Sequence, residues 1–129
     1  MPASPTNPRE DDVAYAIIGA AIEVHKALGP GYLEVVYEEA MAVEMTSQKI
    51  PFVRQATHRI LYRDHNVGEG RVDFLVDGLI VVELKAVDVI SPVHRAQITS
   101  YLNALGLNSG LIVNFREYPL KNGIVRVYR

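Results

Sequence analysis

The 129-residue chain contains no cysteine, which excludes a disulfide framework and a zinc site built on cysteine. It has no apolar run near the ~20 residues that a membrane-spanning helix needs, and its first twelve residues are polar and proline-rich, unlike a signal peptide. These absences predict a cytoplasmic protein with no membrane partner. We expect residues 1–10 to form a mobile tail and residues 11–129 to form a single domain.

The chain also lacks an excess of positive charge. Its 13 Lys and Arg residues stand against 15 Asp and Glu residues, for a formal net charge of −2. Nucleic-acid-binding domains usually look basic, so the balance disfavours tight non-specific binding, although an enzyme with a local basic groove around an acidic centre stays possible. The HExxH pattern of zinc hydrolases, the GxGxxG loop and the Walker-type phosphate loop are missing as well.

Periodic apolar residues and terminating glycines predict three helices. The first begins near Pro8 and ends at the Gly29–Gly31 turn, the second covers about 33–48, and the third begins at Pro92 and ends at Gly106.

Runs of β-branched, aromatic and apolar residues predict five strands, with residues 65–70 as a turn between the first two. The expected strands cover residues 52–64, 72–76, 79–85, 110–115 and 123–129, the last as an edge strand. The order α-α-β-β-β-α-β-β predicts an α/β fold with a mixed central sheet flanked by helices.

Three charged residues, Asp73, Glu83 and Lys85, interrupt the apolar stretch RVDFLVDGLIVVELKA. Side chains alternate between the two faces of a strand, so Glu83 and Lys85 share a face. The simpler interpretation is that these two pair with each other or with neighbours. Two converging carboxylates would instead suit Mg²⁺, which is commonly held by one or two carboxylates together with waters and phosphate. A lysine beside them would orient a water and stabilise charge on a phosphate.

A shared metal site depends on the turn at Asp77–Gly78. If these two residues alone form the loop, Val76 pairs with Leu79, and Asp73 and Glu83 face opposite ways. A three-residue loop or a bulge shifts the pairing by one residue and brings both acids to one face. We predict this shift.

Further candidates lie on the second and third helices. His94, Gln97 and Tyr101 share a face of the third helix, so an amide and a phenol would border the cation site if that face packs beside Lys85. The simpler interpretation is an amphipathic helix with Tyr101 in the core. Glu34 heads the second helix, where an acid either complements the helix dipole or points into a site.

Residues Gly31–Tyr37 spell GxxExxY, and they are followed by GEGRVDFLV, IVVELKAV, AQITSYLNALGL and GLIVNF. In these motifs, residues 17–129 resemble the GxxExxY protein family, a branch of the PD-(D/E)XK nuclease superfamily. The resemblance implies a restriction-endonuclease-like core. One departure is that Val72 stands before Asp73, where the name of the superfamily has proline.

The resemblance also implies a set of site residues. The expected catalytic residues are Asp73, Glu83, Lys85, Gln97 and Tyr101. The expected ligands of Mg²⁺ or Mn²⁺ are Asp73, Glu83, the backbone carbonyl of Leu84 and Glu34. A histidine often precedes the GPG turn in the family, which His25 matches without an implied role.

The expected function is therefore a metal-dependent nuclease that hydrolyses phosphodiester bonds of nucleic acid, with DNA as the expected substrate. The alternative is a non-catalytic module that binds nucleic acid or protein and retains the nuclease fold. Hydrolysis of a nucleotide or another small phosphate would use the same residues. Because so small a chain has little room for elements that grip a substrate, a homodimer or a protein partner is a further expectation.

Overall fold

The computed structural model describes residues 8–129 of the chain. Three helices and five strands follow one another in the predicted order, with a short 3-10 helix at Leu120–Gly123 before the last strand. The helices are α1 (Pro8–Leu28), α2 (Glu34–Ser47) and α3 (Pro92–Leu105). The strands are β1 (Phe52–Tyr62), β2 (His65–Val76), β3 (Ile80–Lys85), β4 (Ser109–Asn114) and β5 (Ile124–Tyr128).

The N-terminal boundary differs from the expectation in one respect. Because α1 begins at Pro8, residues 8–10 belong to this helix rather than to the expected tail. Residues 1–7 lie outside the described part of the chain. Within residues 8–129, no helix is both long enough and apolar enough to span a membrane.

The five strands form one mixed sheet in the order β1-β2-β3-β4-β5. Neighbouring strands are antiparallel except β3 and β4, which are parallel and are joined by α3 as the crossover. β5 lies at an edge, as the sequence predicts. This mixed sheet with its three helices confirms the predicted α/β fold class.

Two apolar clusters hold the helices to opposite faces of the sheet. The larger contains Ile17 of α1 and Met41 of α2 with Phe74 and Val82 of the sheet. The smaller contains residues of α3 such as Ile98, together with Val72, Val81 and Ile112 of the sheet. The strands β3 and β4 contribute to both clusters because their alternate side chains point to opposite faces.

The predicted turn at residues 65–70 is wrong, because these residues are the first half of β2. Tyr62 pairs with His65, so the turn consists of Arg63 and Asp64, whose φ angles are 48° and 65°. Neither of these turn residues is glycine, whereas the glycines that suggested a turn lie inside the strand. The first hairpin is therefore longer than the sequence predicts.

The turn between β2 and β3 contains the extra residue that the sequence predicts. Asp77 and Gly78 have φ angles of 52° and 66°, and the N–H of Leu79 donates to the carbonyl of Val76 at 3.0 Å. The ladder nevertheless pairs Val76 with Ile80, which leaves Leu79 as an additional residue between the strands. The predicted shift of register is confirmed.

Candidate active site

Two carboxylates face each other where the β2–β3 ladder ends. Phe74 pairs with Val82, so the same register sets Asp73 against Glu83. The carboxylate of Glu83 accepts the backbone N–H of Asp73 at 2.8 Å, and the carboxylate of Asp73 accepts that of Leu84 at 2.8 Å. These reciprocal side chain–backbone hydrogen bonds hold both acids in place at the end of the hairpin.

The pair is electrostatically unfavourable in the protein alone. Burial, and after it the charge of Asp73, raises the pKa of Glu83 to about 7. Burial also raises the pKa of Asp73, and the charge of Glu38 adds to that rise while the hydrogen bond from Leu84 opposes it. Burial raises the pKa of both acids, and the charge of Asp73 raises that of Glu83 further, so a cation would stabilise this site.

Lys85 lies beside the two acids without pairing directly to either. Its charge lowers the pKa of Asp73 and of Glu83, but burial outweighs this effect in both cases. Among the residues that the structure describes, Lys85 forms no ion pair within 4.0 Å. The structure therefore does not contain the direct ion pair between Lys85 and Glu83 that the simpler interpretation expects.

The backbone of Leu84 faces the same edge of β3 as the acids. The carbonyl of Lys85 accepts the N–H of Phe115 at 2.9 Å, so the peptide groups of Lys85 point toward β4. The peptide groups of successive strand residues point to opposite edges of the strand. The N–H of Leu84 therefore points toward β2, where it donates to Asp73. The carbonyl of Leu84 points to that side as well.

Glu34 reaches the end of β3 from the first turn of α2. Its carboxylate accepts the backbone N–H of Ala86 at 3.0 Å, immediately after β3. Its charge contributes to the raised pKa of Glu83. An interaction with the helix dipole alone would not account for these contacts, because they attach the start of α2 to the edge that carries the acids.

The GxxExxY pattern has a structural explanation around the turn between α1 and α2. Gly31 has a φ of 115°, which favours glycine. The hydroxyl of Tyr37 donates to the carbonyl of Gly29 at 2.6 Å and accepts the N–H of Tyr32 at 3.2 Å. Tyr37 therefore fixes the turn from which Glu34 extends.

The third helix brings one of its three candidates close to the acids. Burial raises the pKa of Tyr101, and the charges of Glu83 and Asp73 raise it further, so its phenol lies within electrostatic reach of them. Gln97 is exposed and forms no hydrogen bond with the described residues. The ring of His94 accepts the backbone N–H of Ser91 at 3.1 Å and completes the cap of α3.

His25 lies outside this group of residues. Its side chain is buried, and its Nε2–H donates to the carbonyl of Phe115 at 3.2 Å. Its ring also contacts that of Tyr118, with centroids 5.8 Å apart. We therefore regard His25 as a hydrogen-bonded residue of the core that holds the segment after β4.

Comparison with known families agrees with the fold. The sequence matches the family profile described as the PD-(D/E)XK nuclease superfamily over residues 11–127, which is most of the chain. The chain belongs to this superfamily. Members of the PD-(D/E)XK superfamily are generally nucleases and typically use divalent metals. The match does not confirm the narrower GxxExxY family, and no curated protein matches the chain.

The candidate site also includes two residues that sequence reasoning missed. The amide of Gln55 donates to Glu38 at 2.8 Å and to Asp73 at 3.4 Å. Glu38 also accepts from Arg54 at 2.6 Å. Glu38 lies four residues after Glu34 and so on the same face of α2, a signal that the sequence does contain. Gln55 has a φ of 53° within β1, and no local pattern predicts it.

The donor atoms fit a divalent cation held by two carboxylates. Within residues 8–129, no three His, Cys, Asp or Glu side chains are grouped closely enough to hold a metal ion together. Glu34 therefore does not join Asp73 and Glu83 as a third carboxylate in this arrangement. Mg²⁺ needs only one or two carboxylates when waters and phosphate complete its shell, so the PD-(D/E)XK pair is chemically suited to it.

Proposed function

We propose that this PD-(D/E)XK domain is a divalent-metal-dependent nuclease that hydrolyses phosphodiester bonds of nucleic acid, with DNA as its substrate. One observation carries the proposal: Asp73 and Glu83 are opposed at the end of the hairpin, where the carboxylate of Glu83 accepts the backbone N–H of Asp73 and that of Asp73 accepts the backbone N–H of Leu84. This pair costs stability, because burial raises the pKa of both carboxylates and the charge of Asp73 raises that of Glu83 further. Such a cost is expected where a site is built for a cation rather than for stability.

In this proposal, the carboxylates of Asp73 and Glu83 and the backbone carbonyl of Leu84 hold Mg²⁺ or Mn²⁺. When bound, the cation supplies a water of lowered pKa and stabilises negative charge on the phosphate. Glu34, hydrogen-bonded to the backbone just after β3, contributes further negative charge and takes a ligand position through a water or through a small movement.

The remaining residues act on the water and the phosphate. The ammonium of Lys85, free of a direct ion pair, donates to the attacking water or to a phosphate oxygen. The raised pKa of Tyr101 keeps its hydroxyl protonated near neutral pH, so Tyr101 serves as a hydrogen-bond donor rather than as a base. Gln97, one turn earlier on α3, orients the phosphate or Lys85 when substrate is bound.

Cleavage assays with single- and double-stranded DNA and RNA test this proposal. The wild-type chain is expected to cleave in Mg²⁺ or Mn²⁺ and not in EDTA. Asp73→Asn and Lys85→Ala are each expected to abolish cleavage, because each removes a group that contacts the cation or the reacting phosphate. Equal activity of wild type and both variants on every substrate would contradict it.

Two control variants are matched to these changes. Asp77→Asn alters a carboxylate on the same hairpin, and asparagine tolerates the left-handed conformation that Asp77 has there. Lys121→Ala removes an exposed lysine distant in sequence from the site. Both controls are expected to cleave like wild type. Loss of activity in either one would point to general instability rather than to a loss of site residues.

Calorimetry separates the nuclease from a non-catalytic module. Mn²⁺ binding that disappears in Glu83→Ala supports the enzyme, whereas no binding of metal, even with nucleic acid present, supports the module. The cytoplasmic location and the homodimer or protein partner stay predictions, and sedimentation of the purified chain measures its oligomeric state.

A further inference from the structure

A groove of about 570 Å³ lies between β1 and α3, beside the proposed active site. His58, Arg59, Ile60 and Leu61 line it from β1, and Tyr101 and Asn103 line it from α3. None of these residues except Tyr101 has a part in the proposed cleavage. The groove is therefore a separate feature that shares one wall residue with the active site.

Two rings form the junction between the groove and the active site. The rings of His58 and Tyr101 meet edge to face, with centroids 5.2 Å apart and an interplanar angle of 75°. Tyr101 is also the residue that lies within electrostatic reach of Asp73 and Glu83. A nucleic-acid strand whose scissile phosphate lies at the two acids would therefore have its adjacent nucleotide at the mouth of this groove.

Contacts within the described residues explain the position of His58 only in part. Its ring lies against Gly70, its partner in β2, where a Cβ would lie 2.3 Å from Cε1 of the ring. Among the described side chains, Nδ1 of His58 is the one buried polar atom without a hydrogen-bond partner. An unsatisfied buried polar atom is destabilising, so an apolar residue would suit the fold better. This points to a role for the imidazole in contacts with a ligand.

The rim of the groove combines apolar surface with positive charge. Ile60 and Leu61 are 45% and 54% exposed, and exposed side chains of this kind offer a surface to the flat face of a ring. Arg59 is exposed and forms no ion pair among the described residues. An unpaired nucleotide presents both complementary groups, a base that stacks on apolar and aromatic side chains and a phosphate that pairs with arginine.

We propose that this groove binds an unpaired nucleotide next to the scissile phosphate, so that the substrate is single-stranded nucleic acid or an unpaired end of a duplex. The base lies against His58, Ile60 and Leu61, and Arg59 contacts its phosphate. The amide of Asn103 offers both a donor and an acceptor to the edge of the base. A paired base is stacked within its helix and cannot enter. The inference rests on the proposed nuclease function of the adjoining site.

Binding in EDTA tests the groove without cleavage. Fluorescence anisotropy is measured with labelled oligo-dT, oligo-U and a blunt DNA duplex. Wild type is expected to bind the single strands more tightly than the duplex. His58→Ala is expected to weaken single-strand binding by about 5- to 150-fold, the range found for loss of one stacked base, with duplex binding unchanged. The oligo-dT and oligo-U arms distinguish DNA from RNA.

The matched control is His65→Ala, which removes an exposed imidazole at the tip of the same hairpin and is expected to bind like wild type. If circular dichroism shows that His58→Ala does not fold, Arg59→Gln, a change on the exposed rim, takes its place with the same expected loss. Wild-type affinity in the groove variants, or equal loss on single strand and duplex, would overturn the proposal.

The two proposals fail separately. If wild type binds single strands through His58 but cleaves nothing in Mg²⁺ or Mn²⁺, the nuclease function fails and the groove stands. If the chain cleaves and His58→Ala leaves kcat/KM on single strands unchanged, the groove fails and the nuclease function stands.

Discussion

Replacing Gly70 with alanine tests whether the ring of His58 is held against bare backbone. The added Cβ would lie 2.3 Å from Cε1 and 2.4 Å from Nε2 of that ring, whereas ordinary contact begins at 3.4 Å. The imidazole must therefore leave its contact with Tyr101, or the two strands must separate. Overpacking of this kind costs about 1–3 kcal/mol, so we expect a loss of that size in the free energy of unfolding.

The same substitution should have the opposite effect once the ring is gone. In the His58→Ala background the clash disappears, and Gly70 does not have the left-handed φ that would disfavour alanine. Alanine is then expected to stabilise the strand by about 0.5–1 kcal/mol, because glycine loses more conformational freedom on folding. The two changes should thus be coupled by about 1.5–4 kcal/mol.

Urea unfolding of wild type, both single variants and the double variant measures this coupling. Gly68→Ala is the matched control, since a Cβ there would lie 3.7 Å from Cδ1 of Ile60, in ordinary contact, and should cost little. If Gly70→Ala destabilises the protein equally with and without His58, the ring is not the obstacle, and the predicted coupling is refuted.

Three further predictions concern the active site. In metal-free protein the pKa of Glu83 is about 7, against 4.5 in the unfolded chain. The folded state therefore binds this proton more tightly, and the free energy of unfolding falls as pH rises from about 4.5 to 7. Glu83→Gln should therefore be more stable than wild type by about 1–2 kcal/mol at pH 8, less than the full shift because the group is partly exposed. The gain should vanish at pH 4.5 in urea unfolding with chelator, and a constant difference would refute it. Deleting Leu79 leaves Asp77–Gly78 as a two-residue loop and turns Glu83 to the other face, so Mn²⁺ binding measured by calorimetry should disappear. The control Leu79→Ala keeps the register and should keep the binding. Equal Mn²⁺ affinities of the two variants would show that the register does not matter. Gln55→Gly fits the left-handed backbone and should unfold within about 1 kcal/mol of wild type, yet Mn²⁺ affinity should fall about tenfold because the amide no longer orders Asp73. Unchanged affinity would assign Gln55 no part in the site.

Local signals predicted the elements whose ends are marked by specific residues. Ser91 caps α3, Pro92 is its first residue and Gly106 ends it in the left-handed conformation, as these residue types indicate. The register at Asp77–Gly78 could also be predicted, because only one pairing brings both acids to a common face. Because side chains alternate along a strand, placing both acids on one face requires a loop with one extra residue.

Features that depend on contacts between distant residues could not be predicted. Gly68 and Gly70 suggested a turn, but in the structure they face Ile60 and His58 across the hairpin. The turn in the structure consists of Arg63 and Asp64 in the left-handed conformation, which neither residue type predicts.

The same holds for part of the candidate site. Glu38 could have been predicted from its spacing to Glu34, because residues four apart are neighbours on one helix face. Gln55 was not, because its amide has meaning only once β1 lies between α2 and Asp73. The partial burial of Glu83, which raises its pKa, likewise follows from packing that no local pattern contains.

The first hairpin has a consequence for how a polymer could reach the active site. β3 pairs with β2 only at Phe74–Val76, so the rest of this hairpin is a two-stranded ribbon beside α3. Such ribbons are marginally stable alone and open at lower free energy than the core. The wall that this ribbon forms is therefore expected to open more readily than the wall that α3 forms. A strand would then enter sideways, along its length, without needing a free end to thread.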